Sequence, residues 1–280
     1  MNSKFQSLHT NVKDTHLYKK VNTKAVSYRP VFEVAPNKTV SIDLVDMSKS
    51  PSGGYHYIMN CVDIFSRKAW AFLMKTKNKI DLLDAVDELL ARTSPTKIWA
   101  DQEPALKSNE LKIYLKAKGV TLYHTFGTSK AAMVERFNRT MKEQMAKQFS
   151  TGDGNKMKEG WHEFVPKFVD LYNKTTHSSL GATPNNTHTE KDLQDDVRSK
   201  MFARIGETPN VNKGKFKEGD QVHIFRTKGA HEKGYTKNFT NEIFVVHQVL
   251  DTTPETYKVR DGNGEVILGS FYPHELLKAK

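Results

Sequence analysis

From residue 39 onward the apolar positions fall into short blocks, and their period switches between two and about 3.6. The blocks "TVSIDLVDM", "YHYIMNCVDIF" and "KAWAFLMKT" are rich in β-branched and aromatic residues, with only "SKSPSGG" and "SR" between them. They predict three strands joined by short turns, an antiparallel meander. "KIDLLDAVDELLAR" then places Ile80, Leu83, Val86 and Leu90 at helical spacing, with Leu82 and Leu89 alongside, and "SP" stops it. "TKIWAD" reads as a short strand, "SNELKIYLKAKG" as a helix ending at Gly119, and "VTLYHT" as another strand. Two amphipathic helices follow, "SKAAMVERFNRTMKEQM" and "GWHEFVPKFVDLYNKT". After the polar stretch "HSSLGATPNNTHTEKD" comes a helix near 188–205. Beyond the linker "GETPNVNKGK" the period is two again. "DQVHIFR", "EIFVVHQVL", "TYKVRD" and "EVILGSFY" predict strands of a small barrel, with a hairpin turn at Gly262–Asn263–Gly264.

This pattern divides the chain into a basic arm or linker at 1–34, an α/β core at 35–175, a helical connector at 176–212 and a small β module at 213–280. The order βββ-α-β-α-β-α-α is the ribonuclease-H-like arrangement, a mixed five-stranded sheet with flanking helices. The 43 Lys and Arg outnumber the 32 Asp and Glu, giving a net charge of +11 that is densest in the first 40 residues. A protein this basic suits a polyanion, most simply nucleic acid. Its single cysteine, Cys61, excludes an internal disulfide and any Cys₂His₂ or Cys₄ zinc module built from this chain alone. No apolar run approaches the roughly 20 residues that span a bilayer, so no membrane partner is expected.

Two aspartates sit where chemistry is expected. Asp43 interrupts the apolar strand "SIDLV", and Asp101 closes "IWAD". A carboxylate in or at the end of a buried strand costs several kcal/mol unless it is paired or holds a cation. On the helix that follows, an advance of roughly 100° per residue puts Val134, Phe137, Met141, Met145 and Phe149 on one stripe. Glu135, Asn138, Arg139 and Lys142 fall on its shoulder. A helix leaning on the sheet edge would turn Glu135 towards Asp43 and Asp101. Three converging carboxylates are hard oxygen ligands suited to Mg²⁺ or Mn²⁺. Two such ions about 4 Å apart can clamp the attacking and leaving oxygens of a phosphoryl displacement. Asp63 is expected to anchor a turn, and Glu103 adds negative charge beside Asp101. The stripe Trp161, Phe164, Phe168 and Leu171 is read as core, and so are Phe225, Phe239, Phe244 and Tyr257 in the tail.

Taken together, "SIDLVDM", "VDIFSRKAWA", "IWADQ" and "KAAMVERFNRTMK" resemble the retroviral-type integrase core with its D,D-x₃₃₋₃₅-E signature; here 33 residues separate Asp101 from Glu135. The tail resembles the SH3-like C-terminal module of integrases from Maverick/Polinton transposons and virophages. The resemblance implies catalytic and metal-binding roles for Asp43, Asp101 and Glu135, with Mg²⁺ or Mn²⁺ as cofactor, as two ions. It implies DNA contacts from Asn138, Arg139 and Lys142. Lys130, in the loop before this helix, and Lys228, Lys233 and Lys237, on the long tail loop, are further candidates for DNA phosphates. The expected activity is trimming of the 3′ ends of element or viral DNA, then strand transfer into target DNA. The expected partners are double-stranded DNA and further copies of the chain, as a dimer or tetramer. The expected place is intracellular, in a host nucleus, a virion or a viral factory. Two other readings stay open: a non-catalytic DNA- or chromatin-binding descendant, and a nuclease of the same fold.

Overall fold

The computed structural model describes residues 15–21, 32–101, 103–124, 132–150, 160–206, 214–226, 236–267 and 269–279. The chain divides into two compact units, one between residues 31 and 204, the other made of the N-terminal segment and residues 205–280. No helix among the described residues is long and apolar enough to cross a membrane.

In the first unit, strands β1 (Thr39–Asp46), β2 (Tyr57–Asp63) and β3 (Ala69–Met74) form the antiparallel meander. Helix α1 (Lys79–Arg92) leads to β4 (Lys97–Ala100), and α2 (Asn109–Ala117) to β5 (Thr121–His124). Both later strands run parallel to β1, giving the sheet order β3-β2-β1-β4-β5. This is the expected mixed five-stranded, ribonuclease-H-like sheet.

Side chains alternate across the strands, so β1 is split between two cores. Val40, Ile42 and Leu44 face α1 and α2, joined by Met59, Cys61, Trp70, Phe72, Leu82, Val86, Leu89, Leu111 and Leu115. Val45 faces α3 (Ala132–Ser150) and α4 (Trp161–Lys174), with Ile58, Val62, Phe137, Met141, Met145, Trp161 and Val165. The buried stripe of α1 is Leu82, Ala85, Val86 and Leu89 rather than the one beginning at Ile80, which is exposed. The i, i+3, i+4, i+7 set turned to the sheet is the one that buries a continuous apolar face. On α4, Leu171 is also exposed, so the expected core stripe there ends at Phe168.

Two polar devices hold this unit in shape. Asn173 closes the edge of β3 by donating to the Ala69 carbonyl and accepting from its amide, both at 2.8 Å. Asp63 anchors its turn as expected, accepting from the Ser66 hydroxyl and from the amides of Phe65, Ser66 and Asn37. At Gly53, φ is +57° and an added Cβ would lie 2.6 Å from the His162 ring, so the "SPSGG" turn requires glycine there. The polar stretch after α4 holds a short helix not foreseen from its period, α5 (Pro184–Thr189), capped by Thr183 with proline in its first turn. It precedes α6 (Lys191–Gly206), whose Val197 packs with Phe65 and Leu180.

The second unit carries a four-stranded antiparallel sheet, ordered β8 (Thr256–Arg260), β7 (Phe244–Leu250), β6 (Gln221–Ile224), β9 (Leu276–Lys278). Its core contains Phe216, Val222, Phe244, Val246, Tyr257, Val259 and Phe271. Phe239 is buried, and its ring meets that of Phe225 edge-on. The expected strand "EVILGSFY" is not one. Val266 and Phe271 make single bridges to β8, and the last strand forms further on, at Leu276–Lys278. The turn at 262–264 is present, closed by Asp261 and Glu265. Residues 15–21 belong to this unit: Leu17 is buried, and its carbonyl accepts from the amides of Asn238 and Phe239.

Candidate active site

Asp43 lies in the middle of β1, opposite Asn60 of β2. On its other side β1 pairs in parallel with β4, Ile42 beside Ala100. Asp101 is the next residue, so the two aspartates leave neighbouring parallel strands, about 4.8 Å apart, at the same level. Asp43 shares the strand face of Val45 and therefore looks towards α3. The apolar positions Val134, Phe137, Met141 and Met145 lock that helix to the sheet. Asn138, next to Phe137, is carried beneath the helix and buried.

There the Asn138 side chain donates to Asp43 Oδ2 at 2.5 Å and accepts from Asn60 Nδ2 at 2.6 Å. Asp43 Oδ1 accepts from the Leu44 amide. Asp101 is held from both ends: its carboxylate accepts from the Glu103 amide at 2.9 Å, and its carbonyl meets His124 Nδ1 at 2.8 Å. One carboxylate oxygen each from Asp43, Asp101 and Glu103 lies within 4.8 Å of the others. Glu103 is also ion-paired to Lys77, whose ammonium lies 4.0 Å from Asp46 and 5.0 Å from the Tyr57 ring centre.

Glu135 is not in that tight group. It lines an open cavity of about 540 Å³ together with Asp43, Asn138, Arg139, Lys142 and Glu143. Burial pushes the Asp43 carboxyl up to about 6, and the charges of Asp101, Glu103 and Glu135 add to the shift against the opposing Leu44 hydrogen bond. Half-buried acids crowded in this way are unstable as bare anions, and a divalent cation relieves the crowding. The donor set, all carboxylate oxygen, fits Mg²⁺ or Mn²⁺.

The expected residues are thus placed unevenly. Asp43 and Asp101 meet directly, and Glu135 shares a cavity with Asp43. Arg139 and Lys142 are exposed on the wall of that cavity. Asn138, expected at DNA, spends its amide on Asp43 and Asn60, which makes it a positioning group in this structure. Lys130, Lys228 and Lys233 lie outside the described residues. Lys237 belongs to the second unit and donates to Asn241 at 2.8 Å. Sequence reasoning missed Asn60, whose signal was a polar residue amid the apolar run "YIMNCV". It also missed Lys77, which nothing in the local pattern marks.

Comparison with known proteins gives the family context. Residues 33–126 match the integrase core domain. A transposon-derived protein of Caenorhabditis elegans is 25% identical over 231 residues, which are 82% of this chain and 74% of that protein. A retrovirus-related Pol polyprotein from transposon 297 of Drosophila melanogaster is 26% identical over 226 residues, 76% of this chain and only 19% of the polyprotein. Among solved structures, a chain of the simian T-cell lymphotropic virus intasome in complex with a PP2A regulatory subunit superposes with a TM-score of 0.62. It is 14% identical and is covered to 95%, against 100% of this chain, so the likeness is one of fold. The chain carries an integrase core domain at residues 33–126 and is a relative of the retroviral-type integrases.

Proposed function

We propose that the protein is a metal-dependent DNA integrase, which trims 3′ ends and then joins them to target DNA by direct transesterification. The observation that carries this reading is the meeting of Asp43 and Asp101 at the ends of adjacent parallel strands, with Glu135 on the wall of the cavity into which Asp43 opens. In this reading Asp43, Asp101 and Glu135 hold two divalent cations, which supply Lewis-acid activation of the attacking oxygen and charge stabilisation of the leaving one. Asn138 fixes the Asp43 carboxylate so that one oxygen faces the cavity. Arg139 and Lys142 place cations where the phosphates of a bound strand would pass. Double-stranded DNA, both element ends and target, is the proposed substrate. Handling two ends at once calls for at least a dimer.

A second reading of the ligand set has its own support, because Glu103 rather than Glu135 completes the group within 4.8 Å. Against it stands the Lys77 ion pair, which neutralises Glu103. Strand transfer of a labelled oligonucleotide in Mg²⁺ or Mn²⁺ separates the possibilities. The account expects Glu135→Gln to lose at least about 100-fold in rate, near 3 kcal/mol of barrier, and Glu103→Gln to lose less than about 10-fold. Joining by Glu135→Gln at the wild-type rate sinks the assignment of Glu135. Cutting without joining by the wild type would make the protein a nuclease of the same fold.

A further inference from the structure

A second concentration of charge lies wholly within the other unit and belongs to none of the groups discussed so far. A cavity of about 500 Å³ is lined by Lys19, Lys20, Lys215, Lys278 and His274, with Phe216 among its apolar walls, and no acidic side chain lines it among the described residues. The cations come from three separate stretches of chain and are set by backbone structure. Leu17 is pinned by the amides of Asn238 and Phe239, and Asn238 Nδ2 also donates to the carbonyls of Tyr18 and Lys19 at 3.0 and 3.2 Å, which fixes where Lys19 and Lys20 start. Lys215 donates to the Pro273 carbonyl at 2.5 Å and lies 5.0 Å from the Phe216 ring centre. Lys278 ends strand β9, across from Val222, with Asp220 3.1 Å from its ammonium.

Such an assembly is strained as it stands. Partial burial, then the neighbouring charge of Lys19, lowers the pKa of Lys215. Like charges brought together around a concave surface repel unless an anion enters. From this geometry we infer that the cavity is a phosphate-binding site that seats the phosphodiester backbone of DNA. Four ammonium groups exceed what one small anion needs. As mobile point charges without a guanidinium fork they suit a continuous row of phosphates better than a single group held in fixed orientation. The wall of aliphatic and aromatic carbon carries no base-reading amide pair, so the contact is with the backbone and independent of sequence. This inference rests on the proposed action on DNA.

The test uses the full chain and a fluorescent duplex, with affinity followed between about 50 and 200 mM salt. Replacing Lys19, Lys20 and Lys278 together by Gln removes three phosphate contacts, so the slope of log affinity against log salt becomes shallower by about 2.7. Affinity at the low-salt end falls at least about tenfold, while the triple Arg variant keeps the wild-type slope. Lys215→Met, which keeps the stem over Phe216, flattens the slope by a further unit or so. Circular dichroism melting confirms that each variant is folded. An unchanged slope in the folded Gln variant overturns the site. So does pyrophosphate binding that needs these lysines while DNA binding does not, since that would mark a small-anion site. Strand transfer is measured alongside: a wild type that binds DNA through these lysines but never joins strands defeats the integrase reading and leaves the site standing.

Discussion

At the scale of single residues, Asp43 and Asn138 show how a buried acid is prepared for a cation. Asp43 titrates near 6 in the folded chain and near 3.8 when unfolded, so the folded state holds its proton more tightly. Between those values the unfolded chain has lost a proton that the native one keeps. Stability of the metal-free protein therefore falls as pH rises from about 4 to 6, by about 2–3 kcal/mol, and levels off above. Asp43→Asn removes that fall, and urea unfolding at a series of pH values measures it. Asn138→Ala leaves Asn60 Nδ2 without its oxygen partner and Asp43 without its clamp. The expected cost is about 1–3 kcal/mol of stability together with a marked loss of strand transfer. A variant that keeps full activity would remove the positioning role. Asp43 and Asp101 were legible in the sequence because a carboxylate in or at the end of an apolar strand stands out. Asn138 was legible only as a polar residue beside the stripe, since its role is set by Asn60, 78 residues away. Glu103 shows the same limit: its approach to Asp43 depends on the path of the chain after β4.

At the scale of elements, periodicity located all five strands of the mixed sheet and its four flanking helices. Each is amphipathic or apolar enough for its own pattern to decide. The failures share a cause. Helix α5 is a six-residue polar segment held by a Thr183 cap and proline, with too little apolar surface to leave a period. In "EVILGSFY" the alternation is real, but pairing along β8 is limited to isolated bridges, and partner availability lies outside local sequence. Asn173 supplies a stronger test of an element. It stands in for a strand residue on the open side of β3, satisfying both polar groups of Ala69. Asn173→Leu leaves a buried amide and carbonyl unpaired and is expected to cost about 2–4 kcal/mol. Equilibrium denaturation reads this directly, and a loss below about 0.5 kcal/mol would mean the edge is closed by other means.

At the scale of the whole molecule, two units carry separate chemistry, acids in one and lysines in the other. Net positive charge predicts a polyanion without saying where it lies, and only the fold sorts the lysines into a cavity wall and a solvated face. The acidic site makes the native state sensitive to divalent ions. Mg²⁺ or Mn²⁺ should raise the melting temperature above pH 7, by about 2–4 °C for each kcal/mol of binding linkage in a chain of this size. At pH 5, where Asp43 keeps its proton, the shift should largely vanish. The most direct measurement of the central claim is anomalous diffraction from a crystal of the protein soaked in Mn²⁺. The account predicts a peak between Asp43 and Asp101, with the Glu135 carboxylate turned in to complete its coordination. A peak ligated by Glu103 with Glu135 left in solvent, or no peak at these acids, would contradict it.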